Sequence, residues 1–237
     1  MKGAQRVWLT PAFVLHQHAW RDSSRIVEIF SREHGRLSLF ARGARSPKSA
    51  LRATLRPFQS LLMSWSSRSE AGQLTAAEVA GEFTQLPSPH LMSGFYLNEL
   101  LLKLTERFDP HPAVFDGYVE ALEALRTGRE EPALRRFEKR LLEELGYGAD
   151  FTLTGAGEPV RVEAHYQVRP QRPITRCEAG AADAISGRSL IELAQESFDN
   201  GATLRDAKKI LRAAIEACLD GRTLGSRDIM RSLHART

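Results

Sequence analysis

Cysteine is nearly absent from this chain. Cys177 and Cys218 are its only two, and neither belongs to a CxxC pair. A structural zinc site is usually marked by four soft ligands at short spacing, so none is expected. Cys218 reads instead as a small core residue on a helix. Long apolar runs are also missing: nothing approaches the roughly 18 residues needed to cross a bilayer. The stretch from Ala12 to Leu15 ends at His16 and His18. No secretory signal pattern opens the chain, and the expectation is a cytoplasmic protein with no membrane partner.

Catalytic punctuation is just as scarce. The chain has no GxxxxGK[ST] phosphate loop, no GxSxG elbow and no HExxH. Gly155-Ala156-Gly157-Glu158-Pro159 lacks the third glycine and the strand-to-helix setting of a dinucleotide fingerprint, and reads as a loop. His16 and His18 would share one face of a strand, but without a third ligand nearby no metal is expected. Carboxylates are interleaved with cations on helical surfaces, and no pair has a reason to act as acid and base. The expectation is a non-enzymatic protein without cofactor. The enzyme alternative requires a site assembled from dispersed carboxylates.

What the chain does have is lopsided charge. Residues 1 to 80 carry 12 Lys and Arg against 5 Asp and Glu, whereas the rest carry 21 against 24. A net charge of only +4 therefore conceals a basic end, and a basic surface of this kind suits a polyanion, by default nucleic acid. The series runs through Arg32, Arg36, Arg42, Arg45, Lys48, Arg52 and Arg56, with Glu33 as its one internal anion.

The periodicity of the first 81 residues predicts five short strands: Val7 to His16, Arg25 to Ser31, Arg36 to Arg42, Phe58 to Trp65 and Gln73 to Ala80. Glu33-His34-Gly35 supplies one turn, Gly72 another, and Gly43, Ser46 and Pro47 mark a loop. Five strands with no convincing helix suggest a small closed barrel of OB type. Along the third strand Leu37, Leu39 and Ala41 would face the core, with Arg36, Ser38, Phe40 and Arg42 opposite. A basic face bearing an aromatic is what single-strand binders of the OB class use. Phe30, Phe58 and Trp65 read as barrel core.

After Pro87-Ser88-Pro89 the period becomes helical. His90 to Arg107 is apolar on most sides, through Leu91, Phe95, Leu97, Leu101 and Leu104, as expected of a helix buried by several neighbours. A second helix runs from Pro112 to near Gly128 and a third from Pro132 to Gly146. The third carries Arg135, Arg136, Lys139 and Arg140 beside an apolar stripe, with cations early and Glu143 and Glu144 late, against the macrodipole. That arrangement suggests a binding patch. Residues 149 to 185 read as irregular, with short strands near Val160 to Val168 and Ile174 to Cys177. Thr203 and Asp206 resemble a capping box opening a helix that ends near Cys218, and Ser226 would cap a last helix with Ile229, Met230 and Leu233.

Several segments together resemble one family. AFVLHQHAWRDSS (12–24), EHGRLSLFARGARSPKS (33–49), LRPFQSLL (55–62), FYLNELLLKL (95–104), EPALRRFEKRLLEELGYG (131–148) and LDGRTLGSRDIM (219–230) are similar, in order and over nearly the whole chain, to the RecO family of bacterial recombination mediators. The resemblance implies an α+β protein with an OB-type barrel at 1–81 and a mainly helical domain at 82–237, interrupted by the irregular insert. It also implies no catalysis. Members bind and anneal single- and double-stranded DNA, engage the single-strand-binding protein SSB, and act with RecR to help RecA displace SSB in gap repair, near the nucleoid. Some carry a four-cysteine zinc element in the segment where this chain has only Cys177, so the chain looks like the zinc-free branch.

On this reading Arg36, Phe40, Arg42, Arg45, Lys48, Arg52 and Arg56 contact DNA. Arg135, Arg136, Lys139 and Arg140 receive the acidic, apolar-ended tail of SSB. The alternative from the residues alone is an OB protein that binds or anneals RNA.

Overall fold

The computed structural model describes residues 5–67, 71–81 and 85–234. These fall into two compact units, Met1–Gly128 with Leu224–Thr237, and Arg129–Thr223. The 81/82 boundary inferred from sequence falls at residues 82–84, outside the described residues.

In the first unit, strands β1 (Gln5–Trp20), β2 (Ser24–Ser31), β3 (Gly35–Ala41), β4 (Leu61–Ser67) and β5 (Ala71–Val79) close into a barrel of order β1-β2-β3-β5-β4. Neighbours are antiparallel except β3 and β5, which run parallel. This is an OB-type barrel. Closure depends on β1, which pairs with β4 through its first half and β2 through its second, turning at register shifts between Val7 and Thr10 and between Val14 and His16. Such bulges bend a strand and raise its twist. Val14, Val27, Ile29, Leu37, Leu39, Leu61, Met63 and Trp65 fill the interior. The turn at Gly35 is tolerant of no other residue: its φ is +65°, and an added Cβ would sit 2.2 Å from the Asp109 carbonyl oxygen.

The stretch after β3 contains a short helix that sequence periodicity missed, α1 (Ala50–Thr54). Five residues are too few for a 3.6-residue repeat to show. Phe30 and Phe58 are buried, but outside the barrel interior rather than in it. Phe30 meets Phe115 at 5.7 Å, and Phe58 meets Phe95 at 5.0 Å. Those partners belong to α2 (Leu91–Leu104) and α3 (Pro112–Arg126), which follow a 3-10 turn at Ser88–His90.

Between barrel and helices lies a buried polar link. Asn98 Nδ2 donates to the Leu15 carbonyl at 2.9 Å, and Tyr118 Oη donates to Asn98 Oδ1 at 2.6 Å. Burial pushes the Tyr118 hydroxyl far above its ordinary pKa, so it stays a donor. Glu99, next along α2, reaches the last helix, α7 (Gly225–His234). It accepts from Gly225 N at 3.0 Å and from Ser226 N and Oγ at 2.9 and 2.6 Å. The cap of α7 is thus Glu99 rather than Ser226, because a carboxylate from another helix satisfies two of the orphan N–H groups. Ile229 is exposed. The side chains of Met230 and Leu233 lie outside the described residues. Leu97 and Leu101 are buried as expected of α2, whereas Phe95 is exposed.

The second unit holds α4 (Glu130–Glu144), a sheet of order β7-β6-β8 from β6 (His165–Gln167), β7 (Thr175–Cys177) and β8 (Ile185–Ser186), then α5 (Gly187–Ala194) and α6 (Gly201–Leu219). The α5 helix was not expected; Ser186 caps it by accepting from Ser189 N at 3.1 Å. The start of α6 differs as well. Asn200 is the cap, accepting from Ala202 N at 2.9 Å, and Thr203 is a buried helix residue that bonds Glu192. Asn ranks with Ser and Asp as a cap, so the better candidate lay three residues upstream.

Candidate nucleic-acid interface

The outer surface of β1, β2 and β3 can be read row by row from strand register. Phe13, Phe30 and Arg36 form one row. His16, Glu28 and Ser38 form the next, His18, Ile26 and Phe40 the one after, and Trp20 with Ser24 the last. The first row is covered, as Phe13 packs on Phe115 and Tyr118 at 5.5 and 5.1 Å. The last two rows reach the exposed end of the β1–β2 hairpin.

Arg36 belongs to the covered side. Its Nη2 donates to the Thr105 carbonyl at 2.9 Å and its Nη1 lies 3.6 Å from Glu28 Oε2. Arg107 Nη2 donates to Glu28 Oε1 at 2.8 Å and Nη1 to Ser38 Oγ at 2.6 Å, while Ser38 itself bonds Glu28. Burial and neighbouring Arg107 lower the Arg36 pKa against the pull of Glu28. Ser38, expected on the open face, is buried under this network.

Arg32, in the β2–β3 turn, pairs with Asp116 at 2.9 Å, and the remaining cations of the arm occupy the β3–β4 connection. Arg42, Arg45, Lys48, Arg52 and Arg56 are all exposed. Arg45 ties its loop to the β1–β2 hairpin: its backbone N donates to Ser23 O at 2.9 Å and its Nη1 to Arg21 O at 2.8 Å. Arg52 sits in the last turn of α1, where a cation suits the helix dipole. Phe40 is half-buried, and its ring lies 6.0 Å from that of Trp20, which is 43% exposed. His16 and His18 meet edge to face, their ring centroids 4.7 Å apart. Burial, then the charge of His18, lower the His16 pKa against Glu28. Trp20, His16 and His18 were not assigned to a nucleic-acid site from sequence. Alternation already placed His16 and His18 on one face, but the expected first strand ends at His16, whereas β1 runs on to Trp20 and brings all three to the face that carries Phe40.

On α4 the four cations part company. Arg135 is 3% exposed, and its Nη2 donates to Glu138 Oε1 at 2.8 Å, with Glu138 1% exposed. Lys139 is buried between Glu143 at 2.9 Å and Glu196 at 3.2 Å. Burial opposes its charge, but the two carboxylates outweigh it and raise its pKa. Arg136 is exposed, lies over the Phe198 ring at 5.4 Å and donates to the Glu196 carbonyl at 3.2 Å. Arg140 is half-buried. The expected single basic patch is therefore divided, with Arg135 and Lys139 turned inward to Glu138 and Glu143, their i+3 and i+4 neighbours on α4, and Lys139 also to Glu196, which spacing along α4 could not reveal.

Within the same unit a groove of about 470 Å³ lies between α4, α6 and the segment after Gly146. Phe151, Ile174 and Ile210 supply apolar wall, and its charged lining is Lys139, Arg169 and Arg172 with Glu143 and Asp150. Of the four α4 cations, only Lys139 lines it. Cys218 is half-buried on its wall, and burial raises its thiol pKa. Among the described residues no helix is long and apolar enough to cross a membrane, and no three His, Cys, Asp or Glu are grouped to hold a metal.

Residues 4–83 match the family model described as Recombination protein O N terminal, and residues 90–228 the one described as Recombination protein O C terminal. Similar curated proteins include the DNA repair protein RecO of Aromatoleum aromaticum, 43% identical over 236 residues that cover 98% of this chain and 99% of that protein. The DNA repair protein RecO of Thiobacillus denitrificans is 40% identical over 243 residues, covering 98% and 95%. That of Alkalilimnicola ehrlichii is 44% identical over 236 residues, covering 98% and 94%.

Proposed function

The chain belongs to the RecO family of DNA repair proteins, and from that premise we propose that it is a non-enzymatic recombination mediator that binds single- and double-stranded DNA and anneals complementary strands. The observation that carries this reading is the exposure of Arg42, Arg45, Lys48 and Arg52 together on the β3–β4 connection of an OB-type barrel. Annealing needs two like-charged strands brought close. A cationic loop supplies this by neutralising phosphates, and counterion release then makes affinity fall steeply with salt. Arg36 orients the barrel surface through Glu28 and Thr105 rather than meeting phosphate. In this reading the barrel, residues 1–81, is the DNA module and residues 82–237 carry the protein contacts.

The partners we propose are SSB, RecR and, through them, RecA. The SSB tail combines acidic residues with an apolar C-terminal end, and the groove beside α4 offers apolar walls together with Arg169 and Arg172, Lys139 being held by Glu143 and Glu196. Arg169 and Arg172 are then better candidates for its carboxylates than Arg135, whose charge is held by Glu138. Annealing of SSB-coated complementary oligonucleotides across a salt series tests the whole reading. Wild type should anneal them, and faster at low salt. An Arg169→Glu/Arg172→Glu chain should lose tail-peptide binding while annealing bare strands normally. Unchanged peptide binding would remove the groove from the mechanism. Competition between matched DNA and RNA strands separates this reading from an RNA-annealing role.

A further inference from the structure

Trp20 and Phe40 have a placement that folding does not explain. Both project from the outer surface of the barrel, their rings 6.0 Å apart and inclined at 56°, and Trp20 is 43% exposed. His18 lies in the same cross-strand row as Phe40, through Ile26, and is exposed, with His16 edge-on to it at 4.7 Å. The backbone under Phe40 is fixed from a third strand, since Gln73 Nε2 donates to the Phe40 carbonyl at 2.8 Å. Arg21 and Arg42, both exposed, immediately follow the strands that carry these rings. An aromatic strip at a sheet's exposed end, flanked by cations, offers flat apolar faces inside a positive field.

We infer that the outer face of β1, β2 and β3 is a base-stacking platform for single-stranded DNA, formed by Trp20 and Phe40 and extended by His18. This deepens, and rests on, the DNA-binding reading above. A duplex keeps its bases stacked on each other, so ring faces are available to a protein only in a single strand; phosphates are available in both. The strip and the cationic loop therefore divide the work. Arg42, Arg45 and Lys48 hold the backbone of either form, and Trp20 and Phe40 discriminate in favour of the unpaired strand. Base–aromatic stacking is sequence-tolerant, as a strand-annealing protein requires. The hairpin end that carries Trp20 is held to the loop that carries Arg45 by the two hydrogen bonds to Ser23 and Arg21, so stacking and phosphate contacts stay in register.

The test is equilibrium binding of the full chain to an oligo(dT) strand and to a mixed-sequence duplex of equal length, followed by fluorescence anisotropy. Trp20→Ala and Phe40→Ala should each weaken single-strand binding about tenfold, the order that one lost stacking contact gives, and leave duplex binding within about twofold. Trp20→Phe should recover most of the loss. Trp8, at the other end of β1, is also exposed, so oligo(dT) should quench indole emission in Trp8→Phe but much less in Trp20→Phe. If Trp20→Ala binds the single strand as wild type does, or loses both forms equally, the platform is overturned. Should Phe40→Ala fail to fold, Trp20→Ala alone decides, because its exposed side chain supports no core. A chain with intact Trp20 and Phe40 but Arg42, Arg45 and Lys48 replaced by Ala should lose both forms. That result would keep the DNA-binding reading even if the platform failed, whereas wild type binding neither form at low salt would end the reading itself.

Discussion

Two runs of cations, one after β3 and one along α4, look alike in sequence and differ in three dimensions. The first, from Arg42 to Arg52, is exposed on the connection between β3 and β4. The second is largely internal: Arg135 and Lys139 are buried against Glu138, Glu143 and Glu196, and Arg136 rests on Phe198. The difference teaches that a cluster of Arg and Lys predicts a binding surface only once its counterions have been located. Glu196 lies 57 residues from Lys139. A buried ion pair and an exposed phosphate contact use the same side chains for opposite purposes, one to specify packing and one to attract a ligand.

The sharpest way to break this comparison is Arg135→Ala. It leaves the Glu138 carboxylate buried without its guanidinium partner, and breaking such a pair costs about 3–5 kcal/mol. Denaturant unfolding should show the loss, and a change under 1 kcal/mol would return Arg135 to the surface. The corresponding change in the other run, Arg42→Ala with Arg45→Ala and Lys48→Ala, should leave stability within about 1 kcal/mol, as for exposed sites. It should weaken DNA binding roughly thirtyfold at low salt and make the plot of log affinity against log salt shallower by about 2. Equal salt slopes for variant and wild type would sink the role given to that loop.

Legibility followed the same division. The barrel's five strands, the inward Leu37, Leu39 and Ala41 and the turn at Gly35 were readable because period-two alternation and a glycine between two apolar runs are local signals, whereas Phe30 and Phe58, expected in the barrel core, pack outside it. So were α2, α3 and α4, whose boundaries lie within a few residues of the expected ones. Short elements were not: α1 and α5 run for five and eight residues, too brief for a helical repeat to stand out. Long-range polar partners were also invisible. Nothing in the spacing of Arg36 announces Thr105, and nothing near Ser226 announces Glu99. The motif FYLNELL was legible as a resemblance, but its physical content appears only in the structure, where Asn98 links barrel to α2 and Glu99 holds α7.

A carboxylate in the barrel's unit extends the contrast to acid. Burial opposes the charge on Glu99, but hydrogen bonds from Ser226, Lys103 and Gly225 bring its pKa down to about 2 from an ordinary 4.5. A group depressed on folding contributes its full stabilisation above its unfolded value and loses it as pH falls through the folded one. The cap on α7 should therefore hold at neutral pH and weaken progressively between about pH 4.5 and 2. Glu99→Ala should lose about 1 kcal/mol at pH 7, the scale of a removed N-cap, and the gap between variant and wild type should close near pH 2. A gap that persists unchanged at pH 2 would show that packing, not the charged cap, fixes α7.

The smallest effect tests the boundary between the two kinds of cation. Arg136 lies on the same helix as Arg135 but faces outward, so it has the exposure of the loop arginines and the partners of a structural one. Its guanidinium lies 5.4 Å from the centroid of the buried Phe198 ring, and its bond to the Glu196 carbonyl is exposed. An exposed cation over an aromatic ring contributes about 0.5–1 kcal/mol. Arg136→Ala should cost that much, and Arg136→Lys somewhat less, because an ammonium retains the attraction to the ring but not the planar stacking. DNA affinity and its salt slope should not change. A shallower slope in Arg136→Ala would instead mean that α4 meets phosphate through its outward side, and that the division between an exposed loop and an inward-facing helix is drawn one residue too early.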